Sequence, residues 1–183
     1  LGTALTAEGC EKAADFVNFC DAFNIPVLAL VNVKGYKQSK CTERRIAKAA
    51  GRLTYAFANA DVPKVTVVIG EAYGSAYVTM NSKSIGADIV YAWPDAKIGM
   101  MDAAAAVKIM YAEEISASDK AAALISEKAA EYEALQSSAA AAAGRGYVDD
   151  IIKADETRQR VIAAFEMLFT KREGRPSRKH GTV

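Results

Sequence analysis

A single histidine, His180, and three cysteines, Cys10, Cys20 and Cys41, are all the nitrogen and sulfur metal ligands of this 183-residue chain. No two cysteines form a C-x-x-C pair and the histidine sits in a basic tail, so neither a zinc site nor a disulfide framework is expected; both absences suit a reducing, cytoplasmic compartment. The lone histidine also removes a Ser-His-Asp triad from consideration. Neither G-x-G-x-x-G after a strand nor G-x-x-x-x-G-K-[ST] occurs, which leaves a dinucleotide fold or a P-loop without support. There is no run of about 18 uninterrupted apolar residues, so no spanning helix is expected. With 23 Lys+Arg against 22 Asp+Glu the formal net charge is +1, and nucleic acid, which asks for a strongly basic face, is not an expected partner. The chain lacks the basic start of a signal peptide and begins at Leu1 rather than methionine, which reads as one domain of a longer polypeptide.

What the chain does have is apolar residues, 51% of the total, enough for one sizeable core in a single domain over 1–183. Thr6 to Phe23 places Ala13, Phe16, Val17, Cys20 and Phe23 at helical spacing, with Thr6 as N-cap. PVLALVNV, residues 26–33, has no polar face and reads as a buried parallel strand; residues 34–41 form a polar loop. Helical spacing returns over 42–60 through Ile46, Ala49, Leu53, Ala56, Phe57 and Ala60, and Asp61-Val62-Pro63 ends it. Residues 65–69, 85–93 and 97–101 read as further strands. Helices are expected over 102–114, from Ser118 to Ala143 with a break at Gly144-Arg145-Gly146, and over 155–171, where Val161, Ile162, Phe165, Leu168 and Phe169 make one face. From Lys171 the tail carries Arg172, Arg175, Arg178 and Lys179 and reads as extended and solvated. Fully apolar strands alternating with helices mean an α/β domain, its strands mainly parallel and covered on both faces.

The densest run of small residues, IGEAYGSAY, falls where a strand gives way to a helix. In α/β sheets ligands gather beyond the carboxyl ends of the strands, where helix N-termini point free amides outward. Gly74, Ser75 and Ala76 leave the backbone nearly bare, so a carbonyl oxygen can approach their N–H groups. Two such amides make an oxyanion hole, in which one donor contributes about 3 kcal/mol of transition-state stabilisation. Tight packing of the helix on its strand explains the same residues, and both readings stand. Tyr73 and Tyr77 read as packing residues. Asp15, Asp21, Glu43, Glu71 and Asp88 have no spacing that asks for joint acid–base work and read as caps or solvated charges.

Taken in order, ADFVNFCDAFNIPVLALVNV, LTYAFANADVPKVTVVIGEAYGSAYVTMNSK, DIVYAWPDAKIGMM, GYVDDIIKADETRQRVIAAFEML and the terminal RKHG resemble the C-terminal half of the carboxyltransferase subunit of biotin-dependent acyl-CoA carboxylases and decarboxylases, of the propionyl-CoA and methylmalonyl-CoA type. The likeness runs over nearly the whole chain. It implies an α/β crotonase-like (ClpP/crotonase) fold, a β-β-α spiral with C-terminal helices, and a chain that is the C-terminal domain of a two-domain subunit. The implied activity is carboxyl transfer between carboxybiotin and an acyl-CoA thioester. The implied partners are a biotin carboxyl carrier protein, the N-terminal carboxyltransferase half that completes the active site, further copies in a homo-oligomer (a hexamer in the family) and, in decarboxylases, a membrane partner. Matched residue by residue to the family's A-Y-G-G-A-Y, the catalytic amide donors toward the ureido oxygen of biotin are Ser75 and Ala76, with Gly74 allowing the turn. Val78 falls where the family tunes acyl-chain preference. The resemblance implies no metal and no side-chain base.

The chain departs from the family pattern in two places. Ser75 replaces the second glycine, keeping the amide and adding a hydroxyl. In the first loop, the family's D-V-P-G-F and the Pro-Gly stretch lining the biotin pocket become N-V-K-G-Y-K-Q-S-K-C-T-E. Gly35 and Tyr36 keep their places and are carried over as cofactor-binding, while Lys34, Lys37 and Lys40 add positive charge suited to an anion. Two further readings stand on these grounds: a non-catalytic assembly or binding subunit of the same fold, and a crotonase-type hydratase or isomerase using Glu71, the one carboxylate next to the turn in sequence, as its base.

Overall fold

The structure, a computed structural model, describes residues 3–174; Arg175, Arg178, Lys179 and His180 lie outside the described residues. Strand β1 (Ala4–Leu5) leads into helix α1 (Ala7–Ala22), where Thr6 is the N-cap that its position predicts: Oγ1 accepts from the Gly9 amide at 3.0 Å. There follow β2 (Val27–Val33), β3 (Gly35–Tyr36), α2 (Lys40–Asn59), β4 (Lys64–Tyr73), α3 (Gly74–Thr79), a 3-10 turn (Lys83–Ile85), β5 (Ile89–Ala92) and β6 (Lys97–Gly99). The remainder is α4 (Ala103–Met110), α5 (Ala112–Ala117), α6 (Ala121–Tyr132), a π turn (Glu133–Ser137), α7 (Ala139–Gly144), β7 (Asp150–Ile151) and α8 (Thr157–Met167).

The main sheet runs β2-β4-β5-β7 with every pairing parallel, as the α/β reading expects. Its long central strand β4 pairs with β5 through Val65–Val68 and, further along, with β6 through Glu71–Tyr73. Strands β1 and β3 form a separate parallel pair. One face of the sheet packs Ala29, Val31, Val33, Val68, Ala72, Val90 and Ala92 against α3 and α7. On the other, Val65 and Val67 are closed by Val161 and Ala164 of α8. Helices α1 and α2 share a third core of Cys10, Ala14, Val17, Ala49, Leu53 and Ala56.

Several expectations are corrected. Helix α1 buries Ala7, Cys10, Ala14, Val17 and Cys20, whereas Phe16 and Phe23 are 61% and 65% exposed. Its neighbour α2 is lined with alanines, and close approach of two helices selects small side chains over rings. Strand β2 is an edge strand with one buried face; its composition, apolar except for Asn32, conceals the alternation, and Leu28 and Leu30 are 41% and 52% exposed. The polar loop at 34–41 contains β3 and the start of α2. The helix expected over 102–114 breaks at Tyr111, and the longer one breaks where Ser138 bridges Lys97 and caps α7 through Oγ, 3.2 Å from the Ala141 amide. Helix α8 buries Val161 and Ala164 but leaves Ile162 exposed, and it ends at Met167, so Phe169, expected on its apolar face, lies beyond it and is exposed. Lys171, read as solvated tail, is 9% exposed and pairs with Asp88 at 2.9 Å. None of the helices among the described residues is long and apolar enough to cross a membrane.

Candidate active site

Strand β4 does not end at Ile69. It continues through a register shift opposite β2, with Val31 beside Val68 and Val33 beside Ala72, so that Gly70 and Glu71 bulge past Asn32. Glycine at 70 lets the Asn32 side chain lie over the bulge: a Cβ there would come 2.7 Å from Asn32 Oδ1, the oxygen that accepts the Glu71 amide at 3.1 Å, so a larger residue would displace that hydrogen bond. The bulge carries β4 on to Tyr73, and the chain enters α3 at Gly74 without an intervening loop.

Gly74 has φ +59, and a Cβ on it would sit 2.9 Å from the Met100 carbonyl oxygen. The left-handed conformation and the close approach both exclude a side chain. Gly74→Ala is accordingly expected to destabilise the domain by about 1–3 kcal/mol in urea denaturation. Gly144→Ala, with nothing within 4 Å of the added carbon, should be neutral or slightly stabilising; equal losses at both positions would refute the steric account.

Beyond Gly74 the first turn of α3 has no side-chain cap, and the opening amides of a helix have no intrahelical acceptor. Ser75 is exposed, while Ala76 is 1% exposed and anchors the turn in the core. Tyr73 and Tyr77 are packing residues, 4% and 7% exposed. Burial pushes both phenols up to about 12, with Glu71, Asp102 and Glu133 adding to the effect at Tyr73; each stays protonated at neutral pH and neither is a base.

The first loop meets this turn directly. Tyr36 Oη lies 2.9 Å from Thr79 Oγ1, and Thr79 Oγ1 donates to the Ser75 carbonyl at 2.9 Å. A hydroxyl has one proton, so Thr79 accepts from Tyr36, and β3 is tied to the backbone of Ser75 through two hydroxyls. Gly35 stands beside Tyr36 with open space where a side chain would be. Lys34 pairs with Glu71 at 2.9 Å, whereas Lys37 and Lys40 are exposed on the way into α2. Val78 is 37% exposed on the outer side of α3.

Sequence spacing brought Gly74, Ser75 and Ala76 together but missed three participants. Thr79 carries no motif of its own. Asp102 and Glu133 reach the surroundings of Tyr73 only because β6 and the π turn fold back against β4; Glu133 pairs there with Lys97, and its hydrogen bond raises the lysine's pKa above the ordinary value. Glu71 is therefore not the sole carboxylate near the turn. Asp21, read as a cap or a solvated charge, caps no helix: from the last turn of α1 it accepts the amide of Asp61, just beyond α2, at 2.7 Å.

Residues 1–183 match the carboxyl transferase domain family. The chain is 46% identical to a putative propionyl-CoA carboxylase beta chain of Bacillus subtilis, over 100% of its own length and 36% of that protein's. It is 43% identical to the methylmalonyl-CoA carboxyltransferase 12S subunit of Propionibacterium freudenreichii, covering 99% of this chain and 35% of the relative. A crystal structure of a transcarboxylase 12S hexamer with methylmalonyl-coenzyme A and methylmalonic acid bound superposes with a TM-score of 0.93 over 98% of this chain and 35% of that one, at 43% identity. The beta subunit of Pseudomonas aeruginosa geranyl-CoA carboxylase follows at TM-score 0.80 and 26% identity, covering 97% and 35% of the two chains. The chain thus spans about a third of the length of the relatives it matches, and the crotonase-like α/β class stands.

Proposed function

This chain belongs to the carboxyl transferase domain family, and from that premise we propose that it serves as the C-terminal domain of an acyl-CoA carboxyltransferase or decarboxylase subunit, exchanging a carboxyl group between carrier-bound biotin and an acyl-CoA. The observation that carries this reading is the uncapped turn at Gly74-Ser75-Ala76, held in shape by a glycine with no room for a side chain, within a chain matched along its whole length.

The residues present fit the group. A neutral ureido oxygen needs N–H donors rather than a counter-ion, and the turn offers amides with no side chain competing for them. When bound, biotin supplies the carboxyl group and the ring nitrogen that carries it. The role assigned to this chain is to hold and orient: the Ser75 and Ala76 amides donate to the ureido oxygen and stabilise negative charge that develops on it. Gly74 allows the turn that aims these amides, lying with φ +59 against the Met100 carbonyl where a side chain would not fit. Tyr36 and Thr79 fix the Ser75–Ala76 peptide so that the Ala76 N–H keeps its aim, and Gly35 leaves room beside them. The pairing of Lys34 with Glu71 removes one of the loop's added charges from the pocket and occupies the carboxylate that a hydratase would use. Val78 faces the acyl group. An N-terminal half, a biotin carboxyl carrier protein and further copies in a hexamer are the partners this reading requires.

The test is decarboxylation of malonyl-CoA and methylmalonyl-CoA, with and without free biotin, by this chain co-expressed with an N-terminal carboxyltransferase half. Biotin-stimulated CO₂ release is expected. Assembly without any biotin effect would overturn carboxyl transfer in favour of an assembly subunit.

A further inference from the structure

Three hydroxyls from three different elements meet behind the turn. Thr79, the last residue of α3, is 4% exposed, and its Oγ1 donates to the Ser75 carbonyl at 2.9 Å. With that proton spent, its lone pairs are left to accept: Tyr36 Oη of β3 lies 2.9 Å away and Thr54 Oγ1 of α2 lies 3.3 Å away. Thr54 also donates to the Ala50 carbonyl at 2.9 Å, so its proton is shared, and Tyr36 is the fuller donor. A threonine that bonds back to the carbonyl four residues before it is commonplace in helices, as Thr54 itself shows. Thr79 differs in receiving hydroxyls from two elements other than its own.

The carbonyl that Thr79 bonds has a second end. The Ser75 C=O and the Ala76 N–H belong to one planar, conjugated peptide unit, so a proton donated to the oxygen holds the plane and makes the N–H a stronger donor. That N–H lies in the uncapped first turn of α3. A chain of hydroxyls therefore runs from the first loop to the far side of a working amide. Its loop end is itself held to β4: Lys34 pairs with Glu71 at 2.9 Å, and the Glu71 amide donates to Asn32 Oδ1 at 3.1 Å. At position 36 the family pattern D-V-P-G-F has phenylalanine, which carries no hydroxyl, so the link through Tyr36 belongs to this chain.

We propose that Thr79 is a positioning residue of the carboxyl-transfer site and that the altered first loop acts on the reaction through it: the Tyr36 hydroxyl, with Thr54 in support, polarises the Ser75–Ala76 peptide and so sets the strength of the Ala76 donor. The proposal rests on the reading of that amide as a donor to the ureido oxygen. A strengthened donor gains most against an oxygen that is becoming negative, so the effect falls on turnover and not on the binding of acyl-CoA.

Hydroxyl deletions test it, in this chain co-expressed with an N-terminal carboxyltransferase half. Thr79→Val keeps the shape and removes the hydroxyl; it should lower kcat of biotin-stimulated malonyl-CoA decarboxylation about three- to tenfold while KM for malonyl-CoA stays within about twofold. Thr79→Ser, which keeps the hydroxyl, should hold kcat within about twofold of wild type. Tyr36→Phe should lower kcat about two- to threefold in the wild-type background and no further in Thr79→Val, because the two residues act in series. A second readout is independent of turnover. The Ala76 amide nitrogen resonance of this chain should move upfield in Thr79→Val and stay in place in Thr79→Ser, since a hydrogen bond on a carbonyl deshields the nitrogen of the same peptide. A serine variant as slow as the valine one, a raised KM in place of a lowered kcat, an undiminished Tyr36→Phe effect on Thr79→Val, or an Ala76 resonance that Thr79→Val leaves unmoved would each overturn the proposal. Absent turnover in the wild type, with the Ala76 resonance displaced by Thr79→Val, would instead count against carboxyl transfer and leave the hydroxyl tie in place.

Discussion

Ala76→Pro should lower biotin-stimulated decarboxylation by about 10²- to 10³-fold, the usual cost of removing one donor from an oxyanion hole. Proline lacks the N–H, and this substitution tests the amide rather than the side chain. Ala76 is the third residue of α3, where the amide has no acceptor within the helix, so the change deletes no helical hydrogen bond. It does press on its surroundings: Ala76 is 1% exposed against Val68, Ala72 and Tyr77, and a proline restricts Ser75 before it. Ala76→Gly is the comparison, since it keeps the amide while giving up the packed methyl. If Ala76→Gly retains turnover within about tenfold while Ala76→Pro loses the full factor at a similar melting temperature, the amide is the working group. Equal effects would return the turn to a purely packing role.

How much of this site could be read beforehand follows from where its information lies. The turn was legible because its requirement is local: a glycine at φ +59 and small residues after it leave a mark on a few consecutive letters. The support for the turn was not. Thr79 reaches the Ser75 carbonyl within one helical turn, yet its link to Tyr36 closes a loop of some forty residues that composition does not encode. Helix boundaries near alanine-rich stretches failed for the opposite reason: propensity favours continuation from Ser118 onward, and a tertiary bridge between Lys97 and Ser138 interrupts it. Strand β2 was found, but a run apolar up to Asn32 carries little sign of which face is covered, so its position at the edge appears only with the sheet.

The largest stability effect is expected at a residue no motif singles out. Lys64 is wholly buried, and its Nζ donates to the carbonyls of Phe57 at 2.6 Å and Ala60 at 2.9 Å, the last acceptors of α2. An ammonium at a helix C-terminus meets the negative end of the macrodipole and carbonyls that have no intrahelical donor. Lys64→Met keeps most of the volume but strands both oxygens. Each unsatisfied buried acceptor costs about 1–3 kcal/mol, and relief from desolvating the ammonium returns part of that, so a net loss of about 2 kcal/mol is expected in urea denaturation. Lys64→Ala adds a cavity and should lose about 4 kcal/mol. The backbone at this position matters as well: Lys64 N–H donates to Asp88 Oδ2 at 2.7 Å, and Asp88 in turn holds Lys171. The end of α2, the start of β4, the entry to β5 and the segment after α8 therefore meet at one place. A Met variant as stable as wild type would mean that the two carbonyls find other donors, and that the contacts of Asp88 alone hold this junction.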